Sequence, residues 1–178
     1  KMSFIFRCTI LMFLMISSAF SYTSERYERL VSYENITQVG TFEYSGITVK
    51  VYTRPGHSMR SLTRKITSII DNLHAFYGNR SSRMCYYRPV EIFIVSLDTL
   101  NNHQIMSFLN WGQWKNRIRG VYTSSTSGDE NTSIFVSNDS LLNTTLSHEL
   151  SHYWQDIHCL SQSEEESRSF ERFSITRL

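Results

Sequence analysis

Apolar positions along the chain recur with two different periods, and the switches between them mark out the elements. Over residues 58–77, Leu62, Ile66, Ile69, Ile70, Leu73, Phe76 and Tyr77 follow one another at steps of one, three and four, which predicts an amphipathic helix. Gly78 supplies its stop. A second helical stripe, Leu142, Leu146, Leu150, Tyr153 and Ile157, predicts a helix that buries one face from about 142 to 158. Ser140 stands where a cap is needed. A last helix is expected from 164 toward 178, because Ser163 with Glu166 three residues later has the form of a capping box.

Between the helices the pattern turns extended. Residues 41–53 are rich in β-branched and aromatic side chains, with Gly46 in the middle, and read as a strand or a hairpin. Residues 89–96 read as a buried strand. Residues 121–123 and 133–137 read as two more, joined by the polar run 124–132 as a long hairpin. Residues 22–40 form a polar lead-in with a short helix at most, and 100–114 mix apolar with polar residues and read as helix and loop. The order of elements predicts one α+β domain, a small mixed sheet packed on helices, over residues 22–178. No internal repeat or linker divides it.

The first residues stand apart. Residues 4–20 are strongly apolar, Arg7 lies near their start, and small residues close the run. This reads as a secretory signal over residues 1–21, cut after Ser21; an uncleaved membrane anchor is the alternative. Cleavage removes Lys1 and Arg7 from the 18 basic residues and none of the 16 acidic ones, so the mature chain is formally neutral. With no basic patch, nothing points to nucleic acid, and no second apolar span points to stable membrane association. Cys8 goes with the signal. Cys85 and Cys159 remain, and an even count in an exported chain predicts one disulfide, with two buried thiols as the alternative. Sequons at Asn35, Asn79, Asn131, Asn138 and Asn143 suit a glycosylated protein that is secreted to the outside; a periplasmic one is the bacterial equivalent.

The chemistry is concentrated in His148-Glu149-Leu150-Ser151-His152. On a helix, residues four apart share a face, so His148 and His152 can hold one metal ion. Glu149 sits one step round the helix, where a carboxylate can take a proton from water at the metal. Neither histidine lies on the apolar stripe, so the pair faces away from the core. A surface helix carrying two histidines by accident would show the same five residues and bind no metal.

A catalytic zinc ordinarily keeps three protein ligands. His158 has the spacing of the metzincins, which bend the chain at a glycine where this sequence has Gln155. Without the bend the helix continues and His158 turns about 240° away from the metal. The alternative is a glutamate of the last helix. Here the sequence resembles the gluzincins, the thermolysin-like zinc peptidases, in His148-Glu149-Leu150-Ser151-His152 followed by an acidic helix. The resemblance covers these two helices, and the upstream order of elements only loosely. It implies a zincin-like fold, Zn2+ as cofactor, Glu149 as general base, and a glutamate as third ligand.

Glu164, Glu166 and Glu171 are the candidates. A last helix returning antiparallel from about residue 158 draws level with the histidines near 168–171, which favours Glu171. Ser174 beyond it is small, as in the family. Glu164 is the alternative, because its local run resembles the ligand helix of compact gluzincin-like proteins. Such enzymes often place an acid four residues after the ligand to orient a histidine. This chain has Ile175 or Arg168 there.

The expected activity is that of a secreted zinc peptidase acting on a peptide or protein substrate. In gluzincins a strand in the position of the pair 121–137 borders the cleft, and Tyr122 and Tyr153 are candidates for helping the transition state. A zincin-like module that binds without catalysis is the alternative from a different class.

Overall fold

The computed structural model describes residues 27–106, 118–124 and 132–177. The expected signal segment, most of 100–114 and Asn131 lie outside those residues.

The described chain runs α1 (Glu28–Tyr33), β1 (Gln38–Tyr44), β2 (Ile47–Thr53), α2 (Met59–Tyr77), β3 (Val90–Val95), α3 (Leu97–Leu100), β4 (Gly120–Thr123), β5 (Thr132–Ser137), α4 (Leu142–Ile157) and α5 (Glu164–Ile175). The sheet order is β1-β2-β3-β5-β4. β1 and β2 form an antiparallel hairpin, turned by Ser45 and Gly46, both at positive φ. β2, β3 and β5 are parallel to one another, and β4 runs antiparallel to β5 at the sheet edge. The architecture is therefore α+β with a small mixed sheet.

Alternation along the central strands explains the two layers. Val90, Ile92 and Ile94 of β3, with Ile134 and Val136 of β5, face a core closed by α2, α4 and α5. Phe93, Val95 and Phe135 point the other way, into a smaller cluster with Tyr27, Leu30, Leu100 and Met106. Strands covered on both faces read as continuous apolar runs, and every residue of β3 is buried. The whole α4 stripe is buried, from Leu142 to Ile157. Each of its leucines contributes about 1.5–3 kcal/mol by leaving water.

The helix ends are set locally. Ser58 caps α2 by accepting the Ser61 N–H, and Gly78 ends it at φ +51. At α4 the expected cap Ser140 is replaced: Leu141 occupies the cap position, and Asp139 Oδ1 accepts the Leu141 N–H at 2.8 Å. Ser163 Oγ accepts the Glu166 N–H at 3.2 Å, the expected half of the capping box. The reciprocal half is absent, because Glu166 pairs instead with Arg80 at 2.6 Å.

The sulfurs of Cys85 and Cys159 lie at disulfide distance, with Cα atoms 5.9 Å apart. This ties the strand-side loop to the turn after α4. Among the described residues no helix is long and apolar enough to cross a membrane.

Candidate metal centre

α4 and α5 lie against each other, and α4 also lies along β4 and β5. His148 and His152, one turn apart on α4, bring their Nε2 atoms to 3.2 Å. Glu164, the first residue of α5, sets Oε2 at 3.4 Å from His148 Nε2 and 3.2 Å from His152 Nε2. These three donor atoms can hold a metal ion.

Acceptor oxygens stand behind each imidazole, beside Nδ1. Gln162 Nε2 donates to the His152 carbonyl at 3.0 Å, which turns Gln162 Oε1 toward His152 Nδ1 at 3.2 Å. Ser167 Oγ lies 3.3 Å from the same Nδ1. Glu171 Oε2 lies 3.2 Å from His148 Nδ1. A carboxylate and an amide oxygen accept, so each ring has an acceptor beside Nδ1 and turns Nε2 toward the other ring. Two imidazole nitrogens and a carboxylate oxygen meet within 3.4 Å. A cation fits that donor set.

Of the sequence candidates, His148, His152 and Glu164 come together. Glu171 sits behind His148, on the ring nitrogen away from Glu164. Glu166 points to Arg80 and the buried Gln155. His158 follows α4 as its cap residue, places Nδ1 at 3.0 Å from the Arg83 carbonyl and packs on Trp154. It takes no part in the cluster, as the continued helix requires. Tyr153 is buried and donates to the Arg88 carbonyl at 2.7 Å.

A cavity of about 310 Å³ opens between α4, β4 and the start of α5, lined by the two histidines, Glu149, Glu164, Gln162 and β4 from Gly120 to Tyr122. Glu149 is 7 % exposed. Burial, reinforced by the charge of Glu164, pushes its carboxyl up to about 8, while a backbone hydrogen bond with Tyr122 opposes the rise. Burial and the neighbouring His148 hold His152 below the ordinary histidine range. For Glu164 partial burial acts upward, but His148, Arg168 and His152 outweigh it and lower its pKa. Arg168 Nε donates to Glu164 Oε1 at 3.0 Å, which leaves Oε2 to the histidines. Tyr122 donates its hydroxyl to Asp156 at 2.7 Å, and its ring lies near-parallel to that of His152.

At Gly120 β4 passes close against α4. A Cβ there would lie 2.5 Å from Thr145 Cγ2 and 2.6 Å from Glu149 Oε1. Sequence reasoning missed this contact, and it missed Gln162 and Ser167, because nothing local distinguishes residues that act only through elements brought together by the fold. Arg168 was singled out only as a departure from the expected acid.

Among known proteins, no family model, curated protein or solved structure matches the chain.

Proposed function

We propose that the chain is a secreted, zinc-dependent peptidase of gluzincin type, with a zincin-like fold. The observation that carries this reading is the convergence of His148 Nε2, His152 Nε2 and Glu164 Oε2 at 3.2–3.4 Å from one another, beside a buried Glu149 in an open cleft. Donors about 2.0–2.1 Å from a tetrahedral zinc stand about 3.3 Å apart, so the spacing suits that ion. When bound, zinc polarises the scissile carbonyl and makes a water nucleophilic near neutral pH.

The chain's own residues do the rest. Glu149 faces the same cleft and accepts the proton of the attacking water at its carboxylate, then gives it to the leaving amine. Positive charge held by His148, His152 and Glu164 would oppose the burial that raises the Glu149 pKa, and so would favour the ionised base. Among the described residues β4 is the last strand of the sheet, and it lines the cleft. Extended peptide substrate can add to that strand through backbone hydrogen bonds. Glu171 and Gln162 hold the two rings with Nε2 toward the ion. The Cys85–Cys159 pair supports an oxidising compartment and thus export.

A peptide-library assay with zinc-loaded chain tests the proposal. Wild type is expected to cleave, and Glu149→Gln to lose about 10²–10⁴-fold in rate while keeping its zinc. Equal rates for the two would overturn the role of Glu149. Zinc binding with no cleavage of any peptide would make the chain a binding module instead.

A further inference from the structure

Gln155 lies one turn beyond His152 on α4 and is fully buried. Its amide has a defined orientation. Oε1 accepts the Ser163 N–H at 3.0 Å, so Nε2 faces the Tyr77 hydroxyl at 2.9 Å. Nε2 also lies 3.4 Å from the Ser163 carbonyl oxygen and 3.4 Å from Ser167 Oγ. The Tyr77 hydroxyl lies 2.8 Å from Ser151 Oγ, which anchors it to α4 next to His152. One side chain thus meets both backbone polar groups of Ser163. Ser163 is the cap residue of α5, and the next residue is Glu164.

Glu164 needs such an anchor. Its side chain is 57 % exposed, and it occupies the first position of a helix, where ends fray. Among the described residues, apart from the histidines, its carboxylate is held only by Arg168, itself exposed. The cap must therefore fix where α5 begins, and Gln155 is what fixes the cap from below.

We propose that Gln155 is a positioning residue for the metal centre: it pins Ser163, and through Ser163 the place of Glu164 beside His148 and His152. The inference rests on the reading of these three residues as a zinc site. It gives Gln155 a part other than that of a residue standing where another family has glycine. The Tyr77 hydroxyl, by orienting the amide, belongs to the same device.

The test is a zinc affinity series by chelator competition, with thermal unfolding as a check on folding. Gln155→Met is expected to weaken zinc about 10–100-fold, the range for groups that hold a ligand in place. Glu164→Ala weakens zinc by itself. Because Gln155 acts through Glu164, Gln155→Met adds no further loss in the Glu164→Ala background, whereas a general loosening of the core multiplies the two losses. Wild-type affinity in Gln155→Met, or multiplied losses in the double variant, overturns the inference while leaving the zinc site intact. Undiminished zinc binding by Glu164→Ala overturns the site itself. If Gln155→Met does not fold, Tyr77→Phe carries the same test: it removes only the orienting hydroxyl, and a smaller loss is expected that again vanishes in the Glu164→Ala background.

Discussion

Glu171 Oε2 lies 3.2 Å from His148 Nδ1, on the opposite side of the imidazole from Glu164, whose Oε2 lies 3.4 Å from Nε2. α5 thus holds one ring from both sides with carboxylates seven residues apart. Arg168 and Ile175 cannot orient a histidine as an acid does. Under the proposed reading that part falls to Glu171, two turns along the helix from Glu164, while Arg168 donates to Glu164.

The two carboxylates should therefore respond differently to loss of charge. Glu171→Gln keeps an acceptor beside His148 Nδ1 and is expected to lower zinc affinity about 10–100-fold. Glu164→Gln removes the anionic donor itself and is expected to cost more. Zinc competition on the two variants checks the order, and the reverse order would assign the metal to Glu171.

Gly120 is required by the approach of β4 to α4. Gly120→Ala puts a methyl group within 2.6 Å of Glu149 Oε1. The strand or the carboxylate must move, at a cost of about 1–3 kcal/mol. Zinc affinity should stay near wild type, because the donors sit on α4 and α5, while peptide cleavage falls. Thermal unfolding, zinc competition and a cleavage assay on the same preparation separate these effects.

Much of this was legible in the sequence, and the parts that were not have a physical reason. The stripe from Leu142 to Ile157 and the histidines off that stripe fixed the helix, its buried face and the outward pair. The buried run of β3, the β1–β2 hairpin and the capping by Ser163 follow from local pattern. The place of the glutamates depends instead on the α4–α5 turn. An antiparallel return puts Glu171 level with the histidines, and its Oε2 does lie 3.2 Å from His148 Nδ1. What local pattern does not show is how tightly the turn closes: Cys159 takes φ +55, the Leu160 N–H returns to the Gln155 carbonyl at 2.8 Å, and Gln162 contacts His152. α5 therefore begins beside the histidines, and its first residue reaches them. No local periodicity encodes that reversal. The contacts of Gln155, Gln162 and Ser167 depend on it as well.

His158 should make stability depend on pH. Burial pushes its imidazole below the ordinary histidine range; the Arg83 carbonyl opposes the shift and His74 adds to it. The unfolded chain takes up this proton near pH 6.5, the folded chain only at lower pH. Stability is therefore unaffected above about 6.5, falls as pH drops toward the depressed value, and levels off below it. One group gives a slope of at most about 1.4 kcal/mol per pH unit. Urea unfolding of the zinc-free chain between pH 7.5 and 5 should show a shallower fall in His158→Asn than in wild type. Parallel curves would mean that His158 titrates alike in both states.

The most direct test of the metal centre is X-ray absorption at the zinc edge on the purified, zinc-loaded chain, with zinc content measured on the same sample. The account predicts one zinc per chain, bound by two imidazoles with oxygen completing the shell, and loss of the imidazole signature in a His148→Ala, His152→Ala chain. A chain that takes up no zinc, or a shell of three imidazoles, would contradict it.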